Sequence, residues 1–440
     1  RFPRMPGSAE IRRVRHTLRI VDPIRNPYAP GAGQRPPELA GRDEQLRTFD
    51  VVLQRVAKGR PERSLILTGL RGVGKTVLLN ALRGQAVRAG WGTGKFEARP
   101  DQTLRRPVAA AAHVAVRELG HSQEDQVAHV LGVVKSFAQR ETAPNTKLRD
   151  RWNPGIEANA VPGRADSGDI EIDLVELLTD IGGLAADLGR GVAIFIDEMQ
   201  DLGAEDVSAL CAACHEISQA ALPVLVVGAG LPHLPAVLSA SKSYSERLFR
   251  YALIDRLDQE AAAAALAVPA AEEDAAYDPE ALAQMYAVTG GYPYFIQAYG
   301  REVWDLAPTT PITADDVRVA VPRAEAELAV GFFGSRYERA TPAERDYLRA
   351  MAAVALIDTD GAVVGGPVES ESGSAAYGSS LTIELDAVAT ADVAKWLGKQ
   401  PQSLSPARDA LLKKGLIYST ERGKVAFTVP HFGRYLREHP

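Results

Sequence analysis

The chain predicts an α/β fold built on a parallel sheet sandwiched by helices, followed by an all-helical unit and a C-terminal winged helix-turn-helix. Three observations predict it. One apolar strand runs straight into Gly69-Leu-Arg-Gly-Val-Gly-Lys-Thr76, and a later one ends in Asp197-Glu198. After Gln259 the composition becomes Ala-rich and helical in its periodicity. From Ala391 onward, two short helical patterns are followed by a hairpin pattern.

Leu65, Ile66 and Leu67 suit a strand buried on both faces. Gly69, Gly74, Lys75 and Thr76 satisfy G-x-x-x-x-G-K-[ST], so the sheet is predicted to be that of a P-loop NTPase. The glycines let the backbone through Leu70, Arg71, Gly72 and Val73 turn successive N–H groups toward a polyphosphate. A helix beginning near Val77 adds positive potential at its amino end. Lys75 is suited to the β- and γ-phosphates as a mobile point charge, and Thr76 to Mg²⁺.

Val192-Ala-Ile-Phe-Ile-Asp-Glu198 supplies the acidic partner. Asp197, at the strand tip, is expected to hold Mg²⁺ through water, and Glu198 to orient and deprotonate an attacking water. The expected cofactors are therefore ATP or ADP with Mg²⁺. Pro223 to Gly228 reads as a third buried strand and Lys95 to Ala98 as a further one. Helical patterns at Val108–Leu119, Val127–Gln139 and Asp173–Leu188 lie between strands, which implies parallel connections. Arg247 and Arg250 follow the sheet closely enough to reach a γ-phosphate, in their own subunit or a neighbour's. The plainer reading of each is a surface ion pair.

With 440 residues the chain exceeds one ordinary core, and its 46% hydrophobic and 24% charged residues are those of a soluble globular protein. A net charge of −6 supplies no global attraction to nucleic acid or membrane, so such a partner needs a local patch. No apolar run approaches the ~20 residues of a membrane span. The Arg-rich start lacks the apolar core of a secretory signal. Cys211 and Cys214, the only cysteines, point to a reducing, cytoplasmic setting. With His215 they spell the c-type haem motif. They also share a helical face with Val207, Leu210 and Ile217, where cysteine serves as a small buried hydrophobe. Neither haem nor a zinc site is expected.

Residues 1–25 carry seven arginines against Glu10 and Asp22, and read as either a basic arm for nucleic acid or a disordered extension. The expected units after it are a P-loop core over 26–256, a helical lid over 257–338 and a winged helix over 339–440. A Gly/Ser-rich insertion at about 357–389 is expected to be flexible, with a short strand at Leu381–Leu385. Within the lid, Thr289-Gly-Gly-Tyr-Pro-Tyr294 breaks one helix from the next, and Arg323–Tyr337 reads as a connecting helix after Pro322. In the last unit, helices at Ala391–Gly398 and Ser405–Lys414 precede strands at Gly415–Tyr418 and Val425–Thr428. From Ala391 there are nine Lys/Arg against four acidic residues, so this unit is basic on an acidic chain. Lys399, Ser403, Arg408, Lys413, Arg422 and Lys424 are the expected contacts to duplex DNA. Winged helices also dock proteins, and that alternative stays open.

These motifs together resemble P-loop ATPases of the AAA+/STAND superfamily, most closely bacterial ATPases related to archaeal-type origin-recognition initiators. Leu39-Ala-Gly-Arg-Asp-Glu44 resembles the box that precedes the P-loop, with its last carboxylate displaced. Thr289-Gly-Gly-Tyr-Pro293 resembles the Gly-x-Pro signature of the lid, and Ser403 to Thr428 the C-terminal winged helix. The likeness spans about residues 26–440. It implies that Gly41, Arg42 and Pro293 border the nucleotide base, and that a second copy of the chain is a partner. One departure is plain. Gly228-Ala229-Gly230 stands where many such proteins place a polar side chain for the attacking water, which implies slow hydrolysis and a switch more than a motor. A signalling ATPase of the STAND type, with its winged helix contacting protein, is the alternative implied.

Overall fold

The computed structural model describes residues 19–31, 33–100, 102–120, 124–139, 155–357, 383–385 and 387–439. It starts with β1 (Arg19–Ile20) and an extended segment leading to α1 (Asp43–Ala57). There follow β2 (Ser64–Thr68), the phosphate loop, α2 (Lys75–Arg88), β3 (Gly92–Glu97), α3 (Arg105–Glu118), α4 (Glu124–Gln139) and α5 (Ile170–Asp187). Next come β4 (Val192–Asp197), α6 (Ala204–Gln219), β5 (Val224–Gly230), α7 (Leu234–Ser241), α8 (Ser245–Leu248) and β6 (Phe249–Leu253).

Strands β2 to β6 form one parallel sheet in the order β3-β4-β5-β2-β6. Every residue of β2, β4 and β5 is buried, which is why they read as unbroken apolar runs. Phe49, Leu53 and Leu78 of α1 and α2 pack on one face. Leu177, Ile181 and Leu210 of α5 and α6 pack on the other. A parallel sheet flanked by helices is the P-loop NTPase architecture. Its connections leave the carboxyl ends of β2, β5 and β4 side by side, where ligands of open α/β sheets bind.

The strand expected at Lys95 starts at Gly92. A Cβ on Gly92 or Gly94 would lie 2.2 Å from Ala115 O or 2.3 Å from Ala111 O, so α3 lies against strand backbone with no room for side chains. The glycines that weakened the strand pattern are a packing requirement. Cys211 and Cys214 are buried on α6, with burial pushing their thiols up to about 11 and about 12.

The helical unit comprises α9 (Gln259–Glu272), α10 (Pro279–Thr289), α11 (Pro293–Leu306), β7 (Thr309–Thr310), α12 (Ala314–Leu328), a π-helical turn at Ala329–Gly334 and α13 (Ser335–Tyr337). Pro322 lies inside α12 and does not end it. Residues 19–25, expected to belong to a disordered extension, are fastened to the helical unit: β1 pairs with β7, and Arg25 contacts Glu273 at 2.7 Å. Trp304 Nε1 donates to Asp22 O at 2.9 Å, anchoring the same segment. Residues 1–18 lie outside the described residues.

The C-terminal unit holds α14 (Pro342–Val354), β8 (Leu356–Ile357), β9 (Ile383–Glu384), β10 (Val388–Ala389), α15 (Thr390–Trp396), α16 (Pro401–Lys413), β11 (Ile417–Ser419), β12 (Lys424–Phe427) and α17 (Phe432–Glu438). β8 and β9 pair, so the insertion begins and ends in a two-stranded base; residues 358–382 lie outside the described residues. The second helix starts at Pro401 rather than Ser405, with proline in the first turn, where its missing N–H costs nothing. Phe295, Phe333 and Phe432 belong to one apolar cluster, so this unit shares a core with the helical one. No helix among the described residues is long and apolar enough to cross a membrane.

Asp173, in the first turn of α5, is fully buried and accepts from Arg105 Nη2 at 2.8 Å and the Ser167 N–H at 2.8 Å. Burial raises its carboxyl, but the bonds from Ser167, Arg105 and Gly168 outweigh that and hold it below the ordinary value. Asp173→Ala should cost about 3–5 kcal/mol in urea denaturation near neutral pH, because it leaves the buried Arg105 with Phe137 O and the Phe137 ring but no counter-charge. A depressed carboxyl stabilises the fold above its unfolded value of about 3.9 and loses that effect as pH falls below it. The gap between wild type and variant should therefore narrow in acid.

Candidate nucleotide site

The phosphate loop is shaped by what its glycines permit. Gly72 and Gly74 have φ of 85° and 91°, in the left-handed region that side chains avoid. Gly69 meets a different constraint: a Cβ there would lie 2.1 Å from Ile254 O, just past β6. Lys75 opens α2 and is buried, with Nζ donating to Gly69 O at 2.9 Å and Leu70 O at 2.8 Å. Burial pushes its amine down to about 8, against the opposing pull of Glu198 and Asp197.

The acidic motif sits at the carboxyl end of β4. Asp197 is buried, with Lys95 Nζ 3.9 Å away. Glu198 adopts φ 50°, an uncommon region for a residue with a Cβ. Gln200 Nε2 donates to Glu198 Oε2 at 2.5 Å, and Gln200 Oε1 accepts from the Leu231 N–H at 3.1 Å. One side chain therefore ties the glutamate to the turn after β5. Burial, with Glu198 next, pushes the nearby Asp201 carboxyl up to about 6.

A cavity of about 480 Å³ lies over the loop, within the range of small-molecule sites. Arg71, Gly72, Val73, Gly74, Lys75, Thr76 and Val77 line it together with Glu198, Arg42 and Pro293. Gly41, Gly69, Leu70 and Asp197, expected at the site, are not among its lining residues. The extended segment through Pro30 and Leu39 closes one side, and Tyr294, Phe332 and Arg336 another. Arg42 proves to be a brace: its Nη2 donates to Val73 O at 3.1 Å and Asp255 O at 2.6 Å.

Arg247 and Arg250 do not line this cavity. Both are exposed, and Arg250 sits on β6 opposite Leu65, whereas the loop follows Thr68, opposite Leu253. At about 3.3 Å per residue, Arg250 lies roughly 10 Å back along the sheet. The structure therefore does not bring either arginine to the phosphate loop of its own chain. Residues 249–253, read only as an arginine-bearing segment, are an edge strand. Arg336 and Gln200 are the site residues that sequence reasoning missed. Gln200, two positions after Glu198, was within reach of a motif reading. Arg336 lay in a stretch legible only as a connector.

The candidate DNA contacts lie on α16, before it and on the β11–β12 hairpin. Lys399, Lys413 and Arg422 are exposed. Ser403 Oγ donates to Gln400 O at 2.7 Å. Arg408 Nη2 pairs with Asp409 at 2.9 Å, and Lys424 with Glu421 at 3.2 Å.

A parallel sheet with this loop after β2 and this acidic tip on β4 defines a P-loop ATPase core. Residues 38–227 match the AAA ATPase domain family, and residues 330–436 match a domain family of unknown function, DUF8462. A Walker-type ATPase of Pyrococcus abyssi shares the fold, with TM-score 0.53 and 16% identity over 92% of this chain and 97% of that one. Orc1 of Aeropyrum pernix, solved in complex with DNA, matches at TM-score 0.39 and 14% identity, covering 92% of this chain and 94% of its own. RuvB of Thermotoga maritima, a Holliday junction branch migration motor, matches at TM-score 0.39 and 16% identity, covering 92% and 99%. At those two scores neither bears on the argument. No curated protein matches the chain. The match over residues 38–227 supports an AAA+ type of P-loop ATPase core, and the solved structure at TM-score 0.53 supports the fold alone.

Gly69→Ala should lower stability by about 1–3 kcal/mol, since its methyl group meets a backbone carbonyl that cannot rotate away. Gly183→Ala, where a Cβ has open space and the backbone is not left-handed, is the control. A loss at Gly69 no larger than at Gly183 in urea titrations would refute the packing constraint.

Proposed function

We propose that the protein is an ATP-binding, slowly hydrolysing switch whose nucleotide state sets the placement of the C-terminal unit, a winged helix that binds duplex DNA. The observation that carries this reading is the sharing of one cavity by the phosphate loop, the β4 tip, the start of α11 and α13. With unit boundaries near residues 256 and 338, a ligand there touches the core and the helical unit, and the C-terminal unit meets the same loop through Thr428 O, which accepts from the Arg71 N–H. Lys75 and the loop amides hold the phosphates. Thr76 and Asp197 offer the hard oxygen donors that Mg²⁺ prefers, and the ion, when bound there, would neutralise charge on the phosphates. Glu198 is the base, and Gln200 holds one of its oxygens while the other accepts the proton from water.

The order α14, β10, α15, α16 and the β11–β12 hairpin supports a winged helix, with the short sheet arranged β10-β12-β11. Lys399, Ser403, Arg408, Lys413, Arg422 and Lys424 would face the phosphate backbone. Arg247 and Arg250, exposed and outside their own pocket, are available to a neighbouring copy in a homo-oligomer. The alternative, a STAND-type signalling ATPase whose winged helix contacts protein, draws on specific observations. The Arg71 N–H donates to Thr428 O at 3.0 Å, so the C-terminal unit rests on the loop itself. Arg408 and Lys424 already have acidic neighbours.

Calorimetry with Mg²⁺ should detect ATP on the wild type and none on Lys75→Ala. Glu198→Gln should bind ATP as the wild type does and turn over at least about 100-fold more slowly. Gln200→Ala should keep its affinity within about twofold and lose about tenfold in kcat; a parallel loss of affinity would argue for a merely structural glutamine. On random duplex DNA, a gel shift that weakens as salt rises is expected. Its absence at low salt would favour the protein-contact reading.

A further inference from the structure

Arg336 stands outside every motif of the chain, yet it borders the same cavity as Gly72 to Thr76 and Glu198. Its guanidinium lies 3.9 Å over the ring of Phe332 and donates to Phe332 O. Phe332 stacks in turn on Tyr294, with centroids 4.5 Å apart, and the Tyr294 N–H donates to Gly72 O at 3.2 Å. The side chain is thus fixed through a continuous path from the loop. The π-helical turn at Ala329–Gly334, directly before α13, sets its direction, and such turns recur at functional sites.

Its electrostatic setting is unusual for a half-buried arginine. Burial lowers its pKa, the cations Arg71 and Arg339 lower it further and Tyr294 opposes them; no carboxylate is among these groups. Arg71, another wall of the cavity, has its Nε buried without a hydrogen-bond partner. Lys75 adds a third positive group. With Arg42, four cations border the cavity against Glu38 and Glu198, an excess that calls for an anion of more than one charge. A planar, stacked guanidinium with donors to spare suits a phosphate better than a point charge does.

We propose that Arg336 is the ligand of the terminal phosphate of bound ATP, so that the joint between the helical and C-terminal units distinguishes tri- from diphosphate. This rests on the ATP reading above. It also assigns a task to the start of the segment that matches a family of unknown function: residues 330–436 complete the nucleotide site as well as follow it. Loss of the terminal phosphate removes the partner of Arg336, while Lys75 and the loop amides keep theirs.

The test is calorimetry on the full chain with Mg²⁺, using ADP and a non-hydrolysable ATP analogue with a β,γ-imido bridge. In the wild type the analogue should bind more tightly than ADP. Arg336→Ala should weaken the analogue about ten- to a hundred-fold, the size of one charge-assisted hydrogen bond, and leave ADP within about twofold. Arg336→Lys should recover part of the difference. Retained ADP affinity shows the pocket intact; if Arg336→Ala does not fold, Arg336→Gln serves, since it keeps a planar group over Phe332. Equal losses for both nucleotides, or no loss for either, overturn the proposal. A wild type that binds neither nucleotide overturns the ATP reading itself.

Discussion

A loop between a buried strand and a helix cannot satisfy its own backbone, and the phosphate loop of this protein is held by that need. Its residues lie beyond the ladder of β2 and before the first hydrogen-bonded turn of α2, so their polar groups require partners from elsewhere. Each unit supplies one. Arg42, at the start of α1, takes Val73 O. The amino end of α11 takes Gly72 O through the Tyr294 N–H, and Thr428, after β12, takes the Arg71 N–H. Lys75 fills in with Gly69 O and Leu70 O. The loop is therefore the place where the core, the helical unit and the C-terminal unit meet, and any ligand that competes for those groups acts on all three.

Charge reinforces the backbone. Arg71, Lys75 and Arg336 gather around one cavity, and the acids Asp197, Glu198 and Asp201 sit together at the β4 end. Burial first and Glu198 next raise the Asp201 carboxyl to about 6, and burial lowers the Lys75 amine to about 8. Opposite charges separated by a cavity attract an intermediary that carries both signs. A polyphosphate with a divalent cation has that character.

Where the physics is local, the amino acids announced it. The loop, the acidic strand tip and the flanking helices follow from short-range rules: unbroken apolar runs, glycines at left-handed positions, helical periodicity. β6 was illegible because Arg250 and Tyr251 interrupt its apolar pattern, and an edge strand tolerates that. β3 was shortened because Gly92 and Gly94 serve the backbone of α3 rather than the strand. Arg336 could not have been found by spacing, since its relevance arises from a π-helical turn and a stack of aromatic rings contributed by distant segments. Arg25 and Trp304 make the same point at the other end: the fastening of the first described residues depends on partners far along the chain.

The glycines at the end of β5 change meaning once their neighbours are seen. As a pattern, Gly228-Ala229-Gly230 lacks the polar side chain that would address a water molecule. In space, a Cβ on Gly228 would fall 1.9 Å from Met199 Sδ, and one on Gly230 would fall 2.8 Å from Gln200 Oε1. No side chain fits at either position while Met199 and Gln200 occupy theirs. The polar group is present, but it arrives from the β4 loop: Gln200 reaches across to the Leu231 N–H and grips Glu198 on the way. Glu198 is held in a left-handed conformation that costs about 1–3 kcal/mol at such sites, and this anchoring is what offsets the cost. Glu198 and the Gln200 side chain that holds it thus belong to one four-residue turn, Asp197 to Gln200, and β5 contributes only the space while the Leu231 N–H just beyond it fastens the turn.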